Sequence, residues 1–247
     1  MNKQIFKAVA LLVGAGMLAA PALAQNSKGS GASFLLSDGG QNSVQSAAGT
    51  PAGVAGTGAC FDMTGAQSWD LEGDADNIVV DIPIGSGNAM TAVAWDVGLT
   101  TVGSSWLSEA RVKWTSTGDT TTGLFLTVGI GDDTTGDSEY SSMGFIDLTD
   151  NGIPDVMPDA DGILRLEFFE SFDDNSDAVD ADWRNAASPA VCPGISILCT
   201  DQNACNSAVA LVQGQLAQSV PADAPWAIAL LIMLLGGIGF VMVRRFA

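Results

Sequence analysis

The sequence predicts an all-β fold, an antiparallel β-sandwich or jelly roll, with an N-terminal signal peptide and one C-terminal transmembrane helix. Between positions 61 and 185, short apolar runs with a period of two residues alternate with turns rich in Gly, Asp, Ser and Thr. This pattern is typical of half-buried antiparallel strands. No internal repeat of about 20–50 residues stands out, so neither a solenoid nor a propeller is expected.

The first residues have the three parts of a secretory signal peptide. Lys3 and Lys7 supply positive charge, and an apolar stretch follows them. Ala22 and Ala24 place small side chains at the two positions that a signal peptidase requires. Residues 1–24 are therefore predicted to be removed by cleavage after Ala24.

The central domain is predicted to span residues 60–186. Four of its runs place apolar side chains on one face of a strand, at 93–97, 110–114, 124–130 and 164–168. Six to eight such strands close most simply as two packed sheets, as in a sandwich. The tryptophans on these strands are predicted to lie in the core.

The segments on either side of this domain are rich in small residues. Residues 25–59 predict a low-complexity arm with one edge strand at 33–36, because the segment has few apolar side chains to bury. Residues 187–219 predict a cysteine-containing stalk with a short helix at 207–216.

The chain has four cysteines, Cys60, Cys192, Cys199 and Cys205. In an oxidising compartment an even number favours disulfides. Cys60 opens the central domain and the other three follow it, so one bridge is expected to join the two ends of the domain. Three connectivities are possible, and the spacing does not choose among them.

The C-terminus predicts a single membrane-spanning helix. Residues 226–243 contain no charge and, at about 1.5 Å per residue, nearly match a hydrocarbon core of about 30 Å. Arg244 and Arg245 follow directly. Because positive charge beside an apolar span stays in the cytoplasm, the chain is expected to be single-pass, with its C-terminus cytoplasmic before any processing. A plain tail anchor would have the same features.

A short motif precedes this helix. Val220 and Pro221 are followed by Trp226, five residues after the proline, and then by the helix and the terminal arginines. This order resembles the IPTL-CTERM sorting signals, relatives of the PEP-CTERM tails that exosortase-type membrane enzymes process. The two positions after Pro221 depart from the family, which usually has Thr-Leu there. The resemblance implies that 220–247 is a sorting signal processed by an exosortase-type enzyme. The expected partners are therefore this enzyme, the signal peptidase that cleaves the N-terminus, and the membrane that holds the C-terminal helix.

The central domain resembles a β-sandwich domain that recurs in exported proteins with PEP-CTERM-type tails. The segments that carry the resemblance are 68–71, 94–97, 105–109, 129–133 and 164–174. The resemblance implies the fold and the location, and it assigns no catalytic residue.

Charge and composition exclude several classes of function. The segment between the two ends holds all 28 acidic residues against five basic ones, a net charge of −23. Nucleic acid is therefore not expected as a partner. The chain has no histidine, which excludes Ser-His-Asp and Cys-His catalysis and the usual histidine sites for zinc. The sequence predicts no catalytic residue and a protein that is not an enzyme.

Calcium is the one cofactor that the sequence suggests. Hard oxygen ligands at short intervals, with glycines for tight turns, suit Ca²⁺. The predicted ligands are Asp147, Asp150, Asn151, Asp155, Asp159 and Asp161. A second acidic run, at 173–182, would serve equally. The alternative is that these residues only form turns on the surface of an acidic protein.

The sequence therefore predicts a non-enzymatic protein exported to the cell envelope, the cell surface or the extracellular medium, with a polysaccharide matrix as a candidate partner. One alternative is a calcium-dependent carbohydrate-binding module, which requires an exposed aromatic side chain from among Trp69, Trp106 and Trp183 beside an acidic loop. A second alternative is a glycoside hydrolase, which requires two carboxylates facing each other in a cleft.

Overall fold

The computed structural model describes residues 26–27, 34–39, 43–46, 58–174 and 178–216. The predicted signal peptide and the predicted sorting signal lie outside these residues. Among the described residues, no helix is both long and apolar enough to cross a membrane.

The described residues form two sheets, and the prediction of an all-β fold is confirmed. Sheet A contains β1 (Asn26–Ser27), β4 (Ala59–Phe61), β5 (Gln67–Ser68), β7 (Met90–Thr101), β10 (Asp137–Ser141), β11 (Ile146–Asp147), β13 (Ala181–Asn185) and β14 (Gly194–Cys199). Sheet B contains β2 (Phe34–Ser37), β3 (Ser43–Ser46), β6 (Val79–Pro83), β8 (Ala110–Ser116), β9 (Gly123–Thr127) and β12 (Ile163–Glu170), in the order β3-β2-β9-β8-β12-β6. One α-helix, α1 (Gln202–Val212), and two 3-10 turns, Thr149–Asn151 and Gln213–Gln215, complete the described elements.

The long strand β7 organises sheet A. Along one edge β14 and then β13 pair with it, and along the other edge β11 and then β10 do so, all antiparallel. The short β1 pairs with β10 in parallel. Alternation along β7 buries Val93, Trp95 and Val97 between the sheets, as the period of two predicts.

The two sheets pack face to face over one hydrophobic core. Two edge-to-face ring pairs connect them: Phe34 of β2 with Trp95 of β7 at 4.7 Å between centroids, and Phe168 of β12 with Trp183 of β13 at 5.4 Å. Such pairs contribute about 0.5–1.5 kcal/mol each beyond the area they bury. With Trp114 also fully buried, the prediction that the strand tryptophans belong to the core is confirmed.

The flanking segments differ from the predicted arm and stalk. Strand β2 lies between β3 and β9 and is not an edge strand, so part of the 25–59 arm belongs to sheet B. Strand β14 pairs with both β4 and β7, which places 194–199 inside sheet A. The reason is that Ile195 and Ile197 supply an apolar face among small residues, and both are fully buried.

Helix α1 continues this packing and begins earlier than the predicted 207–216. The Asp201 carboxylate caps it by accepting hydrogen bonds from the Asn203 and Ala204 backbone N–H groups, both at 3.1 Å. The helix buries Cys205, Val209 and other apolar side chains against the core.

All four cysteines are paired, Cys60 with Cys192 and Cys199 with Cys205. The prediction that Cys60 joins one of the later three is confirmed. The first bridge closes a separation of 132 residues, and the second closes one of six.

Tyr140, the single tyrosine of the chain, gives a testable pH dependence. Its hydroxyl is buried and donates to Asp132 Oδ2 at 2.8 Å. Burial, followed by the hydrogen bond to Asp132 and the charge of Asp132, raises the pKa of Tyr140 well above 10. Between pH 10 and the higher pKa of the folded state, Tyr140 ionises only in the unfolded chain. The free energy of unfolding is therefore expected to fall as the pH rises above 10.

We therefore expect the ultraviolet band of tyrosinate to be absent from the native protein at pH 10 and to emerge only as the fold is lost. Absorbance and circular dichroism followed together during an alkaline titration measure this, and Tyr140→Phe, which removes the band, is the control. Reversible ionisation near pH 10 with the fold intact would contradict the expectation.

Candidate functional site

Three buried acidic residues, Asp70, Glu170 and Asp180, lie on adjoining segments of chain where β5 of sheet A approaches β12 of sheet B. Glu170 ends β12, and its N–H donates to the Asp70 carbonyl at 2.8 Å. Asp180 directly precedes β13, and its N–H donates to the Ser68 carbonyl at 3.0 Å. These backbone bonds fix the three acidic residues on adjoining segments of chain.

Burial of Glu170 and Asp180 is complete or nearly so. The exposed fractions are 1% for Glu170, 0% for Asp180 and 7% for Asp70. Neither carboxylate oxygen of Glu170 has a partner at hydrogen-bonding geometry, and Asp180 Oδ2 also has none. The other oxygen, Asp180 Oδ1, accepts from the Ser105 hydroxyl at 2.9 Å. Burying an ionised carboxylate without a partner is costly, so both groups must be neutralised in some way.

The electrostatics of the site reflect this cost. Burial, followed by the negative charge of Asp180, raises the pKa of Glu170 to about 9, although the nearby Ser68 hydroxyl and Arg111 guanidinium favour the ionised form. Burial likewise raises the pKa of Asp180 to about 6, against the opposing hydrogen bond from Ser105. With a pKa of about 9, Glu170 is protonated at neutral pH.

Further acidic residues surround Glu170 and Asp180. Asp173 and Asp174 interact electrostatically with Asp180, and Glu109 does so with Glu170. Glu109 is held by its backbone carbonyl, which accepts from Ser171 N–H at 2.9 Å. We call Asp70, Glu109, Glu170, Asp173, Asp174 and Asp180 the acidic cluster.

The acidic cluster continues into a group of exposed carboxylates. Oxygens of Asp70, Asp74 and Asp76 all lie within 4.8 Å of one another. In the part of the chain that the structure describes, this is the one set of three or more acidic or cysteine side chains close enough to share a metal ion. Asp70 therefore joins the buried carboxylates to the surface.

Large apolar side chains are exposed next to the acidic cluster. They are Leu71, which follows Asp70, Trp106, which follows Ser105, and Phe172, with exposed fractions of 51%, 44% and 59%. Val102, which is 36% exposed, donates its N–H to the Asp180 carbonyl at 2.7 Å. Four exposed apolar side chains thus belong to residues that adjoin or bond to members of the acidic cluster or their partners.

The predicted calcium ligands lie elsewhere and fall into two sets. In the first, Asp147 Oδ1 accepts from Thr149 Oγ1 at 2.7 Å and from Asp150 N–H at 3.1 Å, and the Asn151 side chain donates to the Asp147 carbonyl at 2.8 Å. Burial, followed by the negative charge of nearby Asp147, raises the pKa of Asp155. These contacts are those of a capped turn.

The second set is at the turn before β12. Asp159 Oδ2 accepts from Gly118 N–H at 2.7 Å, and Asp161 accepts from the Thr117 hydroxyl and from Ile163 N–H. Both aspartates connect this turn to the chain beyond β8. The structure does not bring the two sets together, and the calcium site predicted at these six residues stays a prediction.

The second acidic run divides in the same way. Asp173, Asp174 and Asp180 belong to the acidic cluster, whereas Asp182 Oδ1 accepts from Gln67 Nε2 at 2.7 Å. Asp177 lies outside the described residues.

Sequence reasoning missed Glu170, and a signal for it exists. Leu164, Leu166 and Phe168 alternate toward the core, and Glu170 continues their period of two. A carboxylate that extends the buried face of an apolar strand predicts either a buried partner or a ligand.

Comparisons of the chain with protein-family models, with curated proteins and with solved structures find no match.

Proposed function

We propose that the chain is a non-enzymatic protein of the bacterial cell surface or extracellular matrix, exported by residues 1–24 and anchored or sorted by residues 220–247. In this proposal the β-sandwich domain, which we propose is a jelly roll, is the part that stays outside the cell. In this proposal the membrane stage is transient if the tail is sorted and permanent if it only anchors.

The pairing of every cysteine in two disulfides is the observation that carries the proposal. Disulfides persist in oxidising compartments and are rare in the cytosol. The strongly negative charge of the segment between the two ends suits a soluble domain outside the cell.

We expect the intact mass of the protein recovered from the cell surface and medium to begin at Gln25 and to end upstream of Trp226. Signal peptidase and the sorting enzyme would make these two cuts. A mass that extends to Ala247 would overturn sorting and leave the surface location standing. A mass that begins at Met1 would overturn export.

Two variants separate sorting from plain anchoring. Pro221→Ala and Trp226→Ala are expected to leave the tail uncut, since these residues carry the motif, while Gln218→Ala, just upstream, is the control that should be processed normally. Equal processing of all three variants would contradict recognition of the motif.

A second candidate function, a calcium-dependent carbohydrate-binding module, is favoured by Trp106. Of the three tryptophans that this alternative names, Trp106 is 44% exposed and adjoins Ser105, which bonds to Asp180 of the acidic cluster. Trp183 is buried, and Trp69 is half-buried. The two candidates differ in one property, the binding of a polysaccharide through Trp106.

A further inference from the structure

We infer that a cleft beside strands β8 and β9 binds a small organic cation, an ammonium or guanidinium group carried on a short aliphatic chain. The cleft lies at the opposite end of β12 from the acidic cluster. Ser116, which lines it, pairs with Leu164 near the start of β12, whereas Glu170 ends that strand. The inference goes beyond the proposed function, because neither export nor anchoring requires a small ligand.

The shape of the cleft is that of a small-molecule site. Its volume is about 350 Å³, and such sites measure about 300–1,000 Å³. The lining consists of Asp38, Ser116, Thr122, Gly123 and residues 154–157. Strands hold both sides in place, because Ser116 and Gly123 belong to β8 and β9, and Val156 exchanges two backbone hydrogen bonds of 3.0 Å with Met90 of β7.

The two hydroxyl groups of the lining have already committed their protons. Hydrogen bonds from Thr121 and then Thr122 lower the pKa of Asp119 to about 2, so this carboxylate is ionised and only accepts. The Thr122 hydroxyl therefore donates to Asp119 Oδ2 at 2.8 Å, and the Ser116 hydroxyl donates to the Asp119 carbonyl at 3.4 Å. Lone pairs are what these hydroxyls still offer to a ligand, so the ligand has to be a donor.

The charge of the lining is negative. Asp38 and Asp155 belong to it, and its described residues include no lysine or arginine. Asp155 is half-buried, and within the described part of the chain its carboxylate has no hydrogen bond or ion pair. Burial and the charge of Asp147 both disfavour its ionised form. A ligand that brings positive charge and N–H donors complements this lining, whereas an anion does not.

An apolar side accompanies the carboxylates. Pro154, Val156 and Met157 line the cleft, and Met157 is a large apolar side chain that is 53% exposed. A bare metal ion would leave this side without contacts. An alkyl chain that ends in a cation would contact both kinds of surface, as the side chains of lysine and arginine do elsewhere.

Hydration is the competing explanation for the same geometry. Water in the cleft would solvate Asp155, and the protein would then not distinguish an organic cation from a neutral molecule of the same shape. The probes n-butylguanidinium and n-butylurea have the same number of non-hydrogen atoms and differ in charge. A comparison of their binding therefore separates the two explanations.

The experiment is a titration of n-butylguanidinium chloride into the isotope-labelled protein, in the form recovered from cells, followed by the NMR shifts of backbone amides. We expect saturable binding with a dissociation constant of about 10⁻³ M, as suits a ligand of this size in an open cleft. The shifts should be concentrated in the residues of the lining. The neutral n-butylurea should bind about tenfold more weakly or worse, because it forms no charge-assisted hydrogen bond.

Substitutions then locate the site. Asp155→Asn should weaken the binding of n-butylguanidinium about tenfold and leave that of n-butylurea unchanged. The matched control is Asp150→Asn, which removes the same charge from an exposed residue outside the lining. It should change binding about twofold or less, since salt screens an exposed charge. Met157→Ala should weaken the binding of n-butylguanidinium but not that of methylguanidinium, which lacks the alkyl chain.

Three results would overturn the inference: no saturable shifts, equal binding of n-butylguanidinium and n-butylurea, or equal weakening in Asp155→Asn and Asp150→Asn. The last would indicate attraction to the acidic protein as a whole. Once n-butylguanidinium binds, a short peptide with one internal arginine distinguishes the sources of the cation. Binding of the peptide indicates a side chain of a partner protein, and its failure to bind indicates a free small molecule. The mass measurement above is independent of these results, so failure of the cleft and failure of export are distinguishable.

Discussion

Replacing both Cys60 and Cys192 with serine is expected to lower the free energy of unfolding by about 5 kcal/mol. The bridge closes a separation of 132 residues, so its loss gives the unfolded chain a large gain in conformational entropy. Cys60 lies in β4, and Cys192 precedes β14, which pairs with β4. The bridge thus connects β4 to the segment directly before β14. Denaturant unfolding of the intact and the substituted protein measures the loss.

The other disulfide is the control. Cys199 and Cys205 are separated by only six residues, and the same entropic relation predicts a loss of about 2 kcal/mol for their double serine variant. Both variants remove two sulfurs and one bridge, so they differ mainly in the length of the closed loop. A loss for the Cys60–Cys192 pair that does not exceed that of the Cys199–Cys205 pair would contradict the expectation.

The period of two was enough to predict the strands that form the core. Residues 93–97, 110–114 and 164–168 lie in β7, β8 and β12, with the predicted faces buried. These strands are long, and each has bulky side chains on one face, so their local pattern and their place in the sheet agree.

The boundaries and the pairings of strands could not be predicted in the same way. The segment 194–199 has two isoleucines among small residues, and its place beside β7 depends on a partner strand about 100 residues away in sequence. Disulfide connectivity depends on the same long-range pairing, because β14 brings its end of the chain to β4. Local composition contains neither fact.

The acidic cluster was predicted only in part, for a related reason. The run at 173–182 was recognised by its density of aspartates, and three of its members lie in the cluster. Asp70 and Glu170 are about 100 residues apart and come together only through the contact of β5 with β12, which a pattern of spacing does not reveal. By contrast, Asp147 and Asp161 are near in sequence, yet their bonds to turns hold them in separate places.

Lys113 shows the limit of the alternation rule and leads to the second large expected effect. It lies on the face of β8 opposite to the core but is 2% exposed. Its Nζ contacts Glu72 Oε1 and Glu167 Oε2, both at 2.8 Å, and lies 5.9 Å and 5.8 Å from the ring centroids of Phe125 and Phe169. The segment that follows β5 covers this face of sheet B, so an apparently outward lysine becomes a buried ion pair.

We expect Lys113→Met to lower the free energy of unfolding by about 3–5 kcal/mol. Methionine fills a similar volume, but Glu167, which is 4% exposed, would keep a buried negative charge without its cation. Hydrogen bonds from Gly73 N–H and the Asn77 side chain to Glu167 Oε1 remain and compensate only in part. Denaturant unfolding measures the change.

Arg165→Met is the matched control, because Arg165 forms a bidentate pair with Asp81 on the same sheet. Its two contacts are 2.8 Å and 2.9 Å, but both side chains are about one-third exposed or more, and the expected loss is about 1 kcal/mol or less. Equal losses for Lys113→Met and Arg165→Met would show that burial of the Lys113 pair has no energetic consequence.

The double variant Lys113→Met, Glu167→Leu tests whether the cost comes from the lost attraction or from the charge left behind. Replacing both members of a buried ion pair with apolar side chains of similar size is often neutral, whereas removing one member is strongly destabilising. The phenylalanines that flank Lys113 would pack against the new side chains, so we expect the double variant to recover most of the stability lost in Lys113→Met. If the double variant is instead less stable than Lys113→Met, the polar contacts of Glu167 with Gly73 and Asn77 hold the covering segment in place, and the attraction to Lys113 is the smaller contribution.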